Sequence, residues 1–141
     1  MRPKEILALN RLKYSRQREA LIRLLQAEVL PMRIDQIIEK LKQSKLPMNQ
    51  STVYRIVESL HEHKIVEKNY SSISNSTLIQ LKTPHHLHYL ICHCCHKMFP
   101  IESCPIHDVI NSIEQANKFK VLSHNLEIVG ICEACQKKAQ V

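Results

Sequence analysis

Two Cys-x-x-Cys pairs, Cys92 with Cys95 and Cys132 with Cys135, constrain this chain more than any other feature, because 36 residues lie between them. Each pair presents two thiolates from one tight turn. Two pairs together satisfy the tetrahedral preference of a structural zinc and leave no open position for chemistry. The spacing exceeds the roughly 15 to 20 residues of an ordinary ribbon, so the clamp encloses a layer of strand and helix rather than a lone finger. Met1-Arg2-Pro3-Lys4-Glu5 carries neither the apolar run nor the cleavage site of a secretory signal, and a cytoplasmic protein is expected. In that compartment thiols bind metal instead of pairing as disulfides. Cys92, Cys95, Cys132 and Cys135 are therefore read as structural zinc ligands. Cys94 and Cys104 are left over and are read as small apolar fillers.

A core built from 141 residues in one or two small units needs a metal staple or a partner subunit. The net charge of +7 is unevenly placed: residues 1–83 hold 15 Lys/Arg against 8 Asp/Glu, whereas residues 84–141 hold 5 of each. With no apolar run long enough for a membrane span, the basic half points to nucleic acid. Its periodicity is helical. Ala20, Leu21, Leu24 and Leu25 predict a helix over 16–28 capped by Ser15. Ile34, Ile37, Ile38 and Leu41 trace a second, opened by Met32-Arg33. Val53, Ile56, Val57 and Leu60 trace a third, starting from Asn49-Gln50-Ser51-Thr52 and reaching His63. IVEKNY and TLIQL then alternate around a turn-rich SSISNS, as a hairpin does. Three helices and a hairpin make a winged helix-turn-helix, whose last helix enters the major groove of double-stranded DNA. Lys13, Ser51, Thr52, Tyr54 and Arg55 are the expected DNA contacts. Arg55 suits a phosphate or a guanine edge, Tyr54 a thymine methyl or a phosphate, and the two hydroxyls suit backbone oxygens.

At Thr83-Pro84 the composition turns rich in His and Cys, which divides the chain into a winged-helix DNA-binding domain over 1–83 and a metal-binding domain over 84–141. The overall class is α+β, with a small α/β second domain. Leu87, Tyr89 and Ile91 predict a strand with His86 and His88 on its other face. Lys97 to Ile101 reads as a return strand, and Ile106 to Asn117 as a helix. Phe119, Val121 and Leu122 read as one strand, and Leu126, Ile128 and Val129 as another. His85, His86, His88, His93 and His96 fall within twelve residues, a density that favours metal binding, and His107 and His124 are placed to complete a site opened by His86 and His88.

These residues carry a family resemblance. Leu12-Lys13-Tyr14-Ser15-Arg16-Gln17-Arg18, Ser51-Thr52-Val53-Tyr54-Arg55, the His-rich strand running into Cys92-x-x-Cys95, and His124 followed by Gly130-x-Cys132-x-x-Cys135 together resemble the ferric uptake regulator family over nearly the whole chain. The resemblance implies a homodimeric metal-sensing repressor whose second domain dimerises, with structural zinc on the four cysteines. It also implies a regulatory site at His86, His88, His107 and His124, where the family commonly has a carboxylate in place of His107. Another family site falls on Leu87, Tyr89, Pro100 and the neighbourhood of Pro31, so it is lost or rebuilt from His85, Cys104, His61 or His63. Lys64 and His96 stand where the family usually has glycine.

Four imidazoles without a carboxylate suit Zn²⁺ better than Fe²⁺ or Mn²⁺, which are the alternative occupants of the regulatory site. The zinc uptake regulator branch is thus the nearest resemblance. Control of metal-uptake genes by zinc-dependent operator binding is the implied function. The alternatives are an iron- or peroxide-sensing member of the family, or a constitutive winged-helix protein whose zinc is only structural. An enzyme is not expected: neither H-E-x-x-H nor H-x-E with P-C-x-x-C occurs, His61-Glu62-His63 has the wrong spacing, and Pro105 follows rather than precedes Cys104.

Overall fold

The computed structural model describes residues 1–83 and 88–139. The chain divides into two compact units, Met1–Pro84 and His85–Val141. In the first, α1 (Pro3–Leu9) and α2 (Arg16–Ala27) precede the short β1 (Met32–Arg33), followed by α3 (Ile34–Lys42) and α4 (Gln50–Glu62). The hairpin strands β2 (Val66–Ser71) and β3 (Ser76–Leu81) complete it. This is a winged helix. The caps sit where the residue types require: Ser15 Oγ accepts the Arg18 N–H at 3.1 Å and Asn49 Oδ1 accepts the Thr52 N–H at 2.8 Å.

The apolar stripes of the helices converge on one core, with Leu21, Ile22, Ile37, Val53 and Leu60 wholly buried. Two elements were not legible in the sequence pattern. Leu7 of α1 is buried in the same core, and Met32-Arg33, expected to open the second helix, instead forms β1 and pairs antiparallel with Ile79 and Leu78 of β3. At the end of α4 the chain reverses through Lys64 at φ 58°, while Ile65 N–H reaches back to Leu60 O at 2.9 Å. A residue with a Cβ thus holds the left-handed position that glycine usually takes.

The second unit is a three-stranded sheet with β4 (His88–Cys92) between β5 (Met98–Ile101) and β6 (Glu127–Gly130), together with α5 (His107–Asn117) and α6 (Glu133–Ala139). β5 runs antiparallel to β4, and β6 runs parallel to it in a register that places Cys92 beside Gly130. Residues 119–126, expected to include a strand at Phe119 to Leu122, form none. Lys118 ends α5 in the left-handed region, and the N–H groups of Phe119 and Val121 are taken by the main-chain and side-chain oxygens of Glu114. Those donors are committed to the helix end and not to a ladder. Among the described residues of this unit His88, Tyr89, Ile91 and Cys92 are buried, and no residue of α5 is. Among the described residues, no helix is long and apolar enough to cross a membrane.

Leu60→Ala removes a wholly buried side chain from the winged-helix core. It is expected to cost about 2–5 kcal/mol, read as a lowered midpoint of urea unfolding followed by circular dichroism.

Candidate metal centres and nucleic-acid interface

The parallel pairing of β4 with β6 brings the two Cys-x-x-Cys turns to one end of the sheet. His93 N–H donates to Gly130 O at 2.7 Å, which ties the first turn to the end of β6. The first turn closes with His96 N–H on Cys92 O at 2.9 Å, and His96 itself is left-handed at φ 61°. The sulfurs of Cys92, Cys95, Cys132 and Cys135 lie within 4.8 Å of one another. Cys95 Sγ and Cys132 Sγ are 3.8 Å apart, which is the edge of a tetrahedron with zinc–sulfur bonds of about 2.3 Å.

The donor set therefore fits a closed tetrathiolate zinc site. Cys132 N–H donates to Cys92 Sγ at 3.3 Å, and this bond, with others from the Cys95 and Cys94 N–H groups, pulls the Cys92 thiol down to about 5. The Cys132 thiol hydrogen-bonded to Cys135 heads the causes that push Cys135 up to about 12. Four crowded sulfurs cannot all carry charge by themselves, and a divalent cation at their centre removes that conflict.

At the other end of β4 a second group assembles. His88 opens the strand, Cys104 lies between β5 and α5, and His124 precedes β6. His88 Nε2 and His124 Nε2 are 3.1 Å apart, and Cys104 Sγ lies 3.3 Å from the first and 3.5 Å from the second. The set differs from the four histidines expected from sequence. His86 and His85 lie outside the described residues. His107 is exposed on the first turn of α5 with its Nε2 3.4 Å from Asn111 Nδ2, and it is not part of the group. The chain enters α5 through a turn at 105–106 that presents Cys104 toward the sheet and leaves His107 on the helix surface. His61 and His63 are in the first unit, where their Nδ1 atoms donate to Val66 O and Ser59 O at 3.3 and 2.8 Å. Cys104, read from sequence as a filler or as one donor of a rebuilt site, lies here beside His88 and His124.

In the winged helix, α4 buries Val53, Ile56, Val57 and Leu60, while Ser51, Tyr54, Arg55 and Glu58 are exposed and Thr52 is half-buried. Asn49 Oδ1 also accepts from Ser51 Oγ at 3.0 Å, which orders the first turn of the helix. An ion pair from Lys68 of β2 holds the Glu58 carboxyl below its ordinary range, so the wing offsets the charge of that acid on the outward face of α4. A shallow groove beside α4 is lined by Gln17, Arg18, Thr52, Arg55, Ile56 and Ser59. Arg18 also donates to Lys13 O at 2.5 Å and so braces the exposed Lys13 segment. Gln17 and Arg18 were legible only as parts of a motif. Their place beside Arg55 follows from the packing of α2 in the same core as α4.

The sequence profile of the ferric uptake regulator family matches residues 10–129, which span both units and nearly all the residues above. The chain belongs to the ferric uptake regulator family. The ferric uptake regulation protein of Bacillus subtilis is 34% identical over 129 residues, covering 89% of this chain and 87% of that protein. The ferric uptake regulator of Vibrio cholerae shares the fold at a TM-score of 0.77 and 22% identity, covering 92% of this chain and 98% of that one. A zinc uptake regulator complexed with zinc and DNA does so at 0.66 and 20% identity, covering 98% and 93%. As a ferric uptake regulator family member the protein is a metal-responsive, DNA-binding regulator of transcription and not an enzyme.

For this family member, Cys132→Ser breaks the closed site at its shared corner. It is expected to lose one zinc per chain by elemental analysis and to lower the thermal midpoint, since structural zinc binding is folding free energy. A variant that kept full zinc content would remove Cys132 from the ligand set.

Proposed function

We propose that this protein is a zinc-responsive repressor that binds operator DNA as a homodimer in the cytoplasm and controls metal-uptake genes. The observation that carries the reading is the pair of imidazole nitrogens 3.1 Å apart, His88 Nε2 and His124 Nε2, at the end of β4 remote from the four cysteines. A tetrathiolate is closed and belongs to the fold. A regulator needs a second site that fills and empties without unfolding, and a histidine pair on a preformed sheet supplies one. Zinc is favoured because imidazole with sulfur nearby, and no carboxylate in the group among the described residues, suits it better than Fe²⁺ or Mn²⁺.

Dimerisation is supported by the apolar side chains the second unit leaves exposed, among them Leu90, Phe99, Val109, Ile113 and Leu122. On DNA, the residues offered by the first unit are Lys13, Ser51, Thr52, Tyr54 and Arg55, with the +7 charge supplying phosphate affinity. A switch from mostly off to mostly on needs the DNA-competent state to bind metal better by about 5 kcal/mol, within the reach of a chelate site. The zinc uptake regulator solved with zinc and DNA has the partners this reading gives the present chain. The 34% identity to an iron regulator favours a second reading, in which Fe²⁺ occupies the same histidines.

One titration separates these readings. With the four-cysteine site filled, Zn²⁺, Fe²⁺ and Mn²⁺ are added in turn while fluorescence anisotropy follows a duplex the protein has selected from a random pool. Zinc is expected to tighten binding at the lowest free concentration. Affinity independent of every metal would make the protein a constitutive binder, and tightening by Fe²⁺ alone would make it an iron sensor. His88→Ala with His124→Ala is expected to abolish the response while leaving the structural zinc in place.

Arg55→Ala is expected to weaken operator binding by about 1–3 kcal/mol. Unchanged affinity would take Arg55 off the DNA-contact surface.

A further inference from the structure

We infer that the second metal centre is a mixed thiolate–imidazole site: Cys104 is a direct ligand together with His88 and His124, and the site takes a borderline-soft divalent cation such as Zn²⁺ or Co²⁺. The inference deepens the proposed regulatory reading and rests on it. Its basis is the triangle of donor atoms, with sides of 3.1, 3.3 and 3.5 Å. Bonds of about 2.0–2.1 Å to nitrogen and about 2.3 Å to sulfur give tetrahedral edges of about 3.3 Å between two nitrogens and about 3.6 Å between nitrogen and sulfur. The nitrogen–nitrogen side is the shortest and a nitrogen–sulfur side the longest, in the order those bond lengths demand. Three atoms that each carry a lone pair are drawn to a common centre, where one proton can bridge only a single pair of them. A cation satisfies all three.

Burial agrees with this geometry. His88 is 6% exposed and Cys104 and His124 are half-buried, unlike the exposed Cys94 and His107. The three residues come from separate stretches of chain, the start of β4, after β5 and before β6, so their meeting is a product of the fold and not of local sequence. When the site fills, the Cys104 S–H gives its proton to solvent as the sulfur–metal bond forms. The ligation makes no demand on His107. With three protein donors in the group, the fourth corner falls to a donor outside the trio.

The test uses the full-length protein with one zinc retained per chain in the four-cysteine site, loaded with Co²⁺ and followed by absorption. The wild-type protein is expected to bind a second ion per chain with a near-ultraviolet sulfur-to-cobalt charge-transfer band and intense visible bands of tetrahedral cobalt. Cys104→Ser is expected to lose the charge-transfer band and to bind the second cobalt at least about tenfold more weakly. A band that survives in Cys104→Ser overturns the thiolate assignment and leaves the regulatory site itself standing. Failure of the wild type to bind any second cobalt overturns the regulatory reading beneath it.

Alkylation of the wild-type protein, mapped by mass spectrometry, gives a readout independent of any variant. Second-site metal is expected to slow modification of Cys104 and not of the exposed Cys94, whereas equal rates at Cys104 with and without metal overturn the proposal.

Discussion

The parallel pairing of β4 with β6 is the constraint on which the second unit depends. A parallel neighbour has to be reached by a long crossover, here the stretch containing β5 and α5, and the crossover brings distant residues to both ends of one short strand. At the end marked by Cys92 and Gly130 it delivers Cys132 and Cys135. At the end marked by His88 it delivers Cys104 and His124. A five-residue strand spans only about 13 Å between its first and last residues, so two metal-binding groups share one rigid element. Among the described residues the sheet buries few side chains of its own, and the four cysteines at its end are placed for a metal to supply the cross-link that apolar packing gives a larger domain.

The two groups differ in chemistry as well as in place. Four thiolates around one cation form a closed, charge-dense set whose loss unfolds what it holds together. Two imidazoles and one thiol carry less charge than four thiolates. Affinity and exchange follow from those differences, and on the proposed reading the four cysteines hold an ion for structure and the second group an ion for signalling. The winged helix follows a simpler rule: its core faces inward on all three main helices, and the face of α4 left outward carries Tyr54 and Arg55, with Glu58 paired to Lys68.

Much of this was legible in advance. The stripes at Leu21, Ile37, Val53 and their helical neighbours place α2, α3 and α4, and Ser15 and Asn49 mark their starts, because periodicity and capping are local properties. The inward and outward faces of α4 follow from the same count. The four cysteines were legible for a different reason: few other uses exist for two such pairs at that spacing. The strand expected at Phe119 to Leu122 was not realised, because an apolar run says nothing of whether a ladder partner is available, and Glu114 had already engaged the local N–H groups. β1 was missed for the converse reason, since two residues carry no period and are extended only because β3 lies beside them.

The composition of the second metal group shows where the boundary falls. The histidines and the thiol are plain in the sequence, and so is the conclusion that this stretch of chain binds metal. Whether Cys104 or His107 turns toward His88 and His124 is not, for the two residues are three apart and both flank the start of one helix. That choice depends on the turn at 105–106 and on the register of β4 with β5, which are fixed by contacts between distant segments. Residue type and spacing thus determined the winged helix, the four-cysteine clamp and a second unit rich in metal-ligating side chains. Tertiary structure alone decided which donors meet, because coordination is a matter of distances between side chains that the chain brings together from far apart.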